Sequence, residues 1–447
     1  MNVRLIMNKF DGNVSQVFKY KLYWILTVML ITPKVFGQES YFQQVLKEIT
    51  SPKYAGRGYT NQGMDKAAQY LAAEYKKLGL KSYGEDYYQE VQFPVNVIHH
   101  AYLKLNGKQL KYGKDFILKP SSQPIKEHTI KEFYTFPTQA YIESFISKEK
   151  TIAFIEKDHS AQKGKHIILP PLTTKVDSIQ QYYKQWANIY EKDELKNCAI
   201  FRFTSDSLIA SVSQRQANVT EFIIKSKYYT PELKIEDFGV DAEFNPSFSF
   251  KNIIGYIEGE NNDSTIIVSG HYDHLGQVGT SIFAGASDNG SGTAMVLELA
   301  NYFVKHKPKY RIAFMLFGAE EAGIVGSYHY VNHPLFPLNE IKFLVNLDIM
   351  GAGEDGIQVV NGTKYKKEFE QMVQINKKNQ FLKEIKVRGE SCNSDHCPFD
   401  KNGIASFFIY TLGGKGNYHN IYDTYENLDL SNSEKVKNLL IRFIKQL

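Results

Sequence analysis

Only three cysteines, Cys198, Cys392 and Cys397, occur in 447 residues. A thiolate zinc site needs four close soft ligands, and three dispersed thiols do not supply them. Charge of one sign is scarce as well. The net charge is +5, and the basic residues are scattered. The densest run, Lys364 with Lys366 and Lys367, reads as a solvated helix face. Nucleic-acid binding needs a concentrated basic stripe, so no nucleic-acid partner is expected. A long apolar run is also missing. Tyr23 to Phe36 is short and is broken by Pro33 and Lys34, which makes a poor membrane span. There are no internal repeats and no low-complexity linker.

The short apolar run has another reading. Lys19 and Lys21 precede it, polar residues follow from Gln38, and Val35-Phe36-Gly37 offers a cleavage site. This is the pattern of a secretory signal over residues 1–37, with Met7 as an alternative start. The expectation is a secreted or periplasmic protein with no stable membrane span after processing. An uncleaved anchor is the alternative. Under export, Cys392 and Cys397 are close enough to bridge, the alternative being two ordinary buried thiols.

Apolar residues make up 43% and charged residues 23%, as in ordinary globular chains, and the length suggests two or three domains. Residues 40–80 read as largely helical. Ala67, Ala68, Leu71, Ala72, Tyr75 and Leu78 fall at helical spacing, and Gly79 closes the run. From about Val95 to Phe248 short β-rich runs take over, such as Thr151–Ile155 and Ala199–Phe203, with no catalytic constellation. After Lys251, strands and helices alternate. Strands are predicted over 253–257, 266–269, 311–317, 343–347 and 404–410, and helices over 293–304, 324–331 and 433–447. Alternation of this kind predicts an α/β fold: a mainly parallel mixed sheet sandwiched by helices, with an inserted β-rich domain. The expected parts are a signal over 1–37, the start of the main domain over 38–94, the insert over 95–248 and the catalytic part over 249–447.

Ligand-type residues follow one predicted strand after another. Val268 leads into Gly270-His271-Tyr272-Asp273-His274. Phe317 leads into Gly318-Ala319-Glu320-Glu321, and Leu347 into Asp348. Between them lies Gly285-Ala286-Ser287-Asp288-Asn289-Gly290-Ser291-Gly292, just before a helix. Ligands of open α/β sheets bind beyond the carboxyl ends of the strands, so these segments converge on one rim. So many carboxylates in one place are costly unless cations neutralise them. Mixed imidazole and carboxylate donors suit zinc, and also manganese or cobalt. Singly, each piece reads as a turn, a cap or a charged surface; their order and spacing carry the signal.

The stretches SGHYDHLG, GASDNGSGTA, FGAEEAGIVGS, NLDIMG, SDHCPF and YHNIYDTYENLD resemble the MH clan of zinc exopeptidases. That clan includes secreted leucyl aminopeptidases, glutamate carboxypeptidase II and glutaminyl cyclases. The likeness covers about residues 250–447, and YAGRGYTNQG extends it upstream. The middle segment resembles a protease-associated domain. The resemblance implies a phosphorylase/hydrolase-like fold and two Zn2+ ions per chain. It implies that His271 and Asp348 bind one ion, Glu321 and His419 the other, and that Asp288 bridges. It further implies that Glu320 is the general base, that Asp273 orients His271, that Tyr418 faces the developing oxyanion and that Asp423 supports His419. Neighbouring side chains on an extended segment point in different directions, which would let Glu320 and Glu321 divide their tasks.

The function so implied is hydrolysis of the terminal bond of a peptide substrate by an aminopeptidase. A carboxypeptidase or dipeptidase of the same family is the alternative. A glutaminyl cyclase uses one zinc, and a non-catalytic binding protein loses ligands or the base; this chain keeps all six positions. Oligomeric state is not legible.

Overall fold

The computed structural model describes residues 39–125 and 198–447 throughout, and between them 132–138, 150, 157, 161–162 and 164–172. The expected signal and the strand at Thr151–Ile155 lie outside the described residues. The helices are α1 (Tyr41–Ile49), α2 (Gly63–Leu78), α3 (Gly292–Phe303), α4 (Val325–Asn332), α5 (Lys366–Asn379), α6 (His396–Lys401) and α7 (Ser433–Gln446). Helix α2 buries Ala67, Ala68, Leu71, Ala72 and Tyr75 of the stripe read from its periodicity, with Leu78 half-buried, and ends where Gly79 turns left-handed, at φ 78°.

The first eight strands are β1 (Tyr88–Leu105), β2 (Lys108–Gln109), β3 (Phe116–Leu118), β4 (Phe133–Thr135), β5 (His166–Leu169), β6 (Ala199–Thr204), β7 (Thr220–Lys225) and β8 (Ile235–Ile257). The rest are β9 (Asn261–His271), β10 (Gly276–Val278), β11 (Ser281–Phe283), β12 (Tyr310–Phe317), β13 (Ile341–Leu347), β14 (Ile357–Val360), β15 (Ile385–Val387) and β16 (Ser406–Thr411).

Nine strands form the main sheet in the order β15-β14-β16-β13-β9-β12-β8-β1-β2. Its centre is parallel: β9 lies between β12 and β13, and β16 continues beyond β13. Antiparallel pairs flank that centre, at β12 with β8 and at β14 with β16. The central strands are buried on both faces, so their apolar runs are nearly continuous, as in Phe343–Val345 and Ile312–Phe317.

A second sheet has the order β3-β7-β6-β5-β4. Phe116, Phe201, Phe222 and Phe238 fill its core, with the rings of Phe201 and Phe222 stacked at 5.1 Å. The two sheets are joined through β1 and β8. Tyr88–Phe93 pairs with Phe248–Ile253 beside β12, and Val95–Leu105 continues against Ile235–Asn245. A register shift falls between Phe93 and Val95, at Pro94, with Pro246 opposite. Proline cannot donate to a ladder, so the ribbon is free to bend there. The expected insert boundaries therefore fall inside two continuous strands. Among the described residues no helix is long and apolar enough to cross a membrane.

Candidate metal centre

The carboxyl ends of the central strands bring the candidate residues together. His271 is the last residue of β9, Asp348 directly follows β13, and Glu320 and Glu321 follow β12. Asp288 precedes α3, and His419 lies in the loop after β16. Ala319, Ile349 and His419, at or beside these positions, have φ of 54°, 59° and 52°. Non-glycine residues rarely adopt this region, and backbone held there costs energy that the surroundings must supply.

Two clusters share Asp288. His271, Asp288 and Asp348 converge in one, and His274, Asp288, Glu321 and His419 in the other, each with ligand-type atoms within 4.8 Å. His271 Nε2 lies 3.3 Å from Asp288 Oδ1 and 3.4 Å from Asp348 Oδ1. His419 Nε2 lies 3.0 Å from Asp288 Oδ2 and 3.0 Å from Glu321 Oε2. A cation fits this set. His271 Nε2 and Asp348 Oδ1 are both buried and make no hydrogen bond, though they face one another. Buried polar atoms without partners are costly, and a shared positive ion satisfies both.

Glu320 stands beside the first cluster, its Oε2 4.0 Å from His271 Nε2. Burial pushes its carboxyl well above the usual range, against the pull of His271 and with further push from Asp348 and Asp395. Burial also opposes ionisation of Asp288, but contacts to His271 and His419 outweigh it and hold that carboxyl far below the usual range. The Glu320–Glu321 pair is not on an extended segment. Glu320 O accepts from the amides of Gly323 and Ile324, so the pair sits in a turn. The turn, not strand alternation, sends the two side chains in different directions, Glu320 toward His271 and Glu321 toward His419.

Two supporting contacts differ from expectation. Asp273 reaches His271 Nδ1 through its backbone carbonyl, at 3.2 Å, while its carboxylate lies 3.6 Å away. That carboxylate instead accepts from the amides of Glu320 and Glu321, at 3.0 and 3.3 Å, and so fixes the turn. Asp423 does not support His419. Its two oxygens accept from the amides of Ser287 and Asp288, at 2.8 and 3.1 Å. His419 Nδ1 meets the carbonyl of Ala210 at 3.0 Å. Two amides on one carboxylate satisfy a loop that has no ladder of its own, which is why Asp423 is drawn there. Tyr418 is 48% exposed and stacks on the His419 ring at 3.8 Å.

Some functional positions went unread in the sequence. Ser394 donates to Asp348 Oδ2 at 2.9 Å, leaving Oδ1 for the cluster. Arg57 is wholly buried and donates to the carbonyls of Tyr272, Ile49, Ala284 and Gly285. Burial lowers its pKa to about 10, with Asp423 and Asp273 pulling it back. His274 was visible in SGHYDHLG, but β9 ends at His271, so alternation no longer tells which way it points. Cys392 and Cys397 are bonded to each other, and Cys198 is a buried cysteine outside that bond.

Such a sheet, with two imidazole–carboxylate clusters sharing one aspartate at its carboxyl edge, defines a domain of the metallopeptidase class. Residues 252–444 match Peptidase family M28. Aminopeptidase YwaD of Bacillus subtilis is 32% identical over 206 residues, 42% of this chain and 43% of its own length. A vacuolar membrane protease of Candida glabrata is 29% identical over 185 residues, 40% of this chain and 19% of its own. The matched region thus spans less than half the length of these curated relatives. Among solved structures, a zinc aminopeptidase of Bacillus subtilis aligns over 91% of this chain and 94% of its own, with TM-score 0.62 and 19% identity. A Peptidase M28 precursor of Shewanella amazonensis aligns over 96% and 97%, with TM-score 0.62 and 13% identity. These two likenesses show the fold.

Proposed function

We propose that the protein is an exported co-catalytic di-zinc aminopeptidase. The observation that carries the reading is the pair of clusters hinged on Asp288, with the buried carboxyl of Glu320 beside them. His271 and Asp348 would hold one zinc, Glu321 and His419 the other, with Asp288 common to both. The similar Bacillus subtilis protein is a zinc aminopeptidase, which supports the choice of metal. When bound, zinc supplies Lewis acidity toward the scissile carbonyl and toward water.

The chain's own residues supply the rest. Glu320 takes the proton of the attacking water and returns it to the leaving amine. The Asp273 carboxylate holds the backbone of that turn, and Ser394 holds Asp348. Tyr418, stacked on His419, is the side chain assigned to the oxyanion.

A cavity of about 380 Å³ opens beside Asp288. Ile349, Ala352 and Leu428 give it an apolar wall, and Glu354 and Asp429 bring two carboxylates against the single cation of Lys415. An acidic mouth welcomes the ammonium of a peptide N-terminus and repels a C-terminal carboxylate. This favours the aminopeptidase over the carboxypeptidase, with neutral or apolar first residues preferred. The test is a turnover profile across aminoacyl anilides, N-blocked peptides and C-terminal substrates, with zinc measured on the same samples. Release only from free N-termini supports the reading, and turnover of N-blocked substrates alone removes it.

A further inference from the structure

His274 is not used by the reaction just described, yet it is wholly buried among the residues that are. Its ring is fixed. The backbone amide donates to the carbonyl of Arg57 at 3.2 Å. One side of the ring rests on Gly285, where a Cβ would come within 2.4 Å of it. Gly285 also sits at φ 56°, so glycine is needed there for both space and conformation. The ring stands edge-on to His419, with centroids 5.6 Å apart. Held in this way, it brings Nδ1 to 2.7 Å from Glu321 Oε1.

The other oxygen of the same carboxylate, Oε2, faces His419 Nε2 at 3.0 Å. The two distances have different meanings. Two ligands of one tetrahedral zinc, each about 2.0–2.1 Å from it, lie about 3.3 Å apart. The pairs His271–Asp288 at 3.3 Å and His271–Asp348 at 3.4 Å have that separation, and His419 lies 3.0 Å from both Glu321 and Asp288, between that spacing and the 2.7 Å of His274. A separation of 2.7 Å is instead that of an N–H donating to a carboxylate. Oε1 is thus occupied by a donor and Oε2 is presented to the cluster.

We propose that His274 is a positioning residue, whose Nδ1–H donates to Oε1 of Glu321 and restricts that carboxylate to one oxygen, Oε2, for the cation it shares with His419 and Asp288. The proposal rests on the metallopeptidase reading. Without the donor, Oε1 is a buried anionic oxygen with no partner, and the carboxylate is free to rotate away from the cluster.

The experiment uses the full chain stripped with a chelator and titrated with ZnCl2 against a chromogenic competitor. The melting temperature of each metal-free protein is recorded alongside. Three variants are compared with the parent: His274→Ala, His274→Asn and His274→Gln. The Asn amide nitrogen occupies nearly the place of Nδ1, whereas Gln carries its amide one bond further. His274→Ala and His274→Gln should weaken one zinc site by about 10–100-fold, the usual effect of losing a ligand's supporting partner. His274→Asn should restore affinity to near the parent value. If His274→Ala does not fold, the contrast between Asn and Gln carries the same test. Parental zinc affinity in the Ala or Gln variant, even with a lowered metal-free melting temperature, would overturn the proposal. Loss of one zinc in all three variants would also overturn it, by making His274 a ligand in its own right. A parent that takes up no zinc would instead remove the metallopeptidase reading beneath it.

Discussion

The Nδ1 of His419 lies 3.0 Å from the carbonyl oxygen of Ala210, and the amide of Ala210 donates back to the carbonyl of His419 at 3.0 Å. A candidate metal ligand is thus oriented by backbone from the middle of the chain, more than 200 residues away. A ligating imidazole needs such a partner to fix its tautomer and plane. Four residues on, Gln214 donates to the carbonyl of Ala322, next to Glu321. Segment 208–216 therefore spans from the His419 loop to the Glu320–Glu321 turn.

Removing one end of this span should disturb the site from a distance. Gln214→Ala deletes one hydrogen bond, with an expected stability loss of about 1 kcal/mol in urea denaturation. The kcat should fall several-fold through loosening of the turn, with a smaller change in KM. Unchanged kcat alongside the stability loss would mean that the span is only packing.

Glu320→Gln preserves shape and removes basicity. It should retain both zinc ions and lose about 10²–10⁴-fold in rate. Glu321→Gln removes an anionic ligand and should lose zinc together with activity. Elemental analysis beside steady-state kinetics reads both. The reverse pattern would mean the two roles are exchanged.

Arg57 holds four carbonyls from three segments. Arg57→Ala would take a donor from each; Gly285 keeps the amide of Gly290 at 2.9 Å, and each carbonyl left unpaired costs about 1–3 kcal/mol. A loss of at least about 3 kcal/mol is expected from denaturant midpoints, and Arg57→Lys should rescue little, because an ammonium lacks the planar fork. A near-parental midpoint for either variant would deny the clamp.

Burial raises the Asp395 carboxyl to about 7, from 3.8 in an unfolded chain. The sign follows from linkage. Where the folded state binds the proton more tightly than the unfolded state, stability falls as pH rises between the two values. In chelator-treated protein the melting temperature should therefore decline from about pH 4 to about pH 7, beyond what the other groups contribute. Asp395→Asn still offers Ser327 an acceptor and should flatten that decline. An identical pH profile for parent and variant would count against it.

Export has two readouts. The mature N-terminus should lie near Gln38, and non-reducing peptide maps of that material should recover Cys392 and Cys397 as one bridged peptide. An intact Met1 or Met7 on membrane-bound protein would indicate an anchor.

The sequence by itself determined the α/β class and the strands that end in candidate ligands. These follow from short-range rules: alternating elements, apolar runs, and polar residues placed where strands stop. His271, Asp348 and the Glu320–Glu321 pair all lie where such counting puts them. What holds those candidate ligands in place was decided by tertiary structure alone. Asp423 turns to the amides of Ser287 and Asp288, Ala210 takes the imidazole of His419, and His274 reaches Glu321. Each contact joins segments far apart in sequence, and two of the three use backbone atoms, which every residue carries alike. Backbone donors and acceptors leave no mark in an amino-acid string, so only the packed chain could assign them.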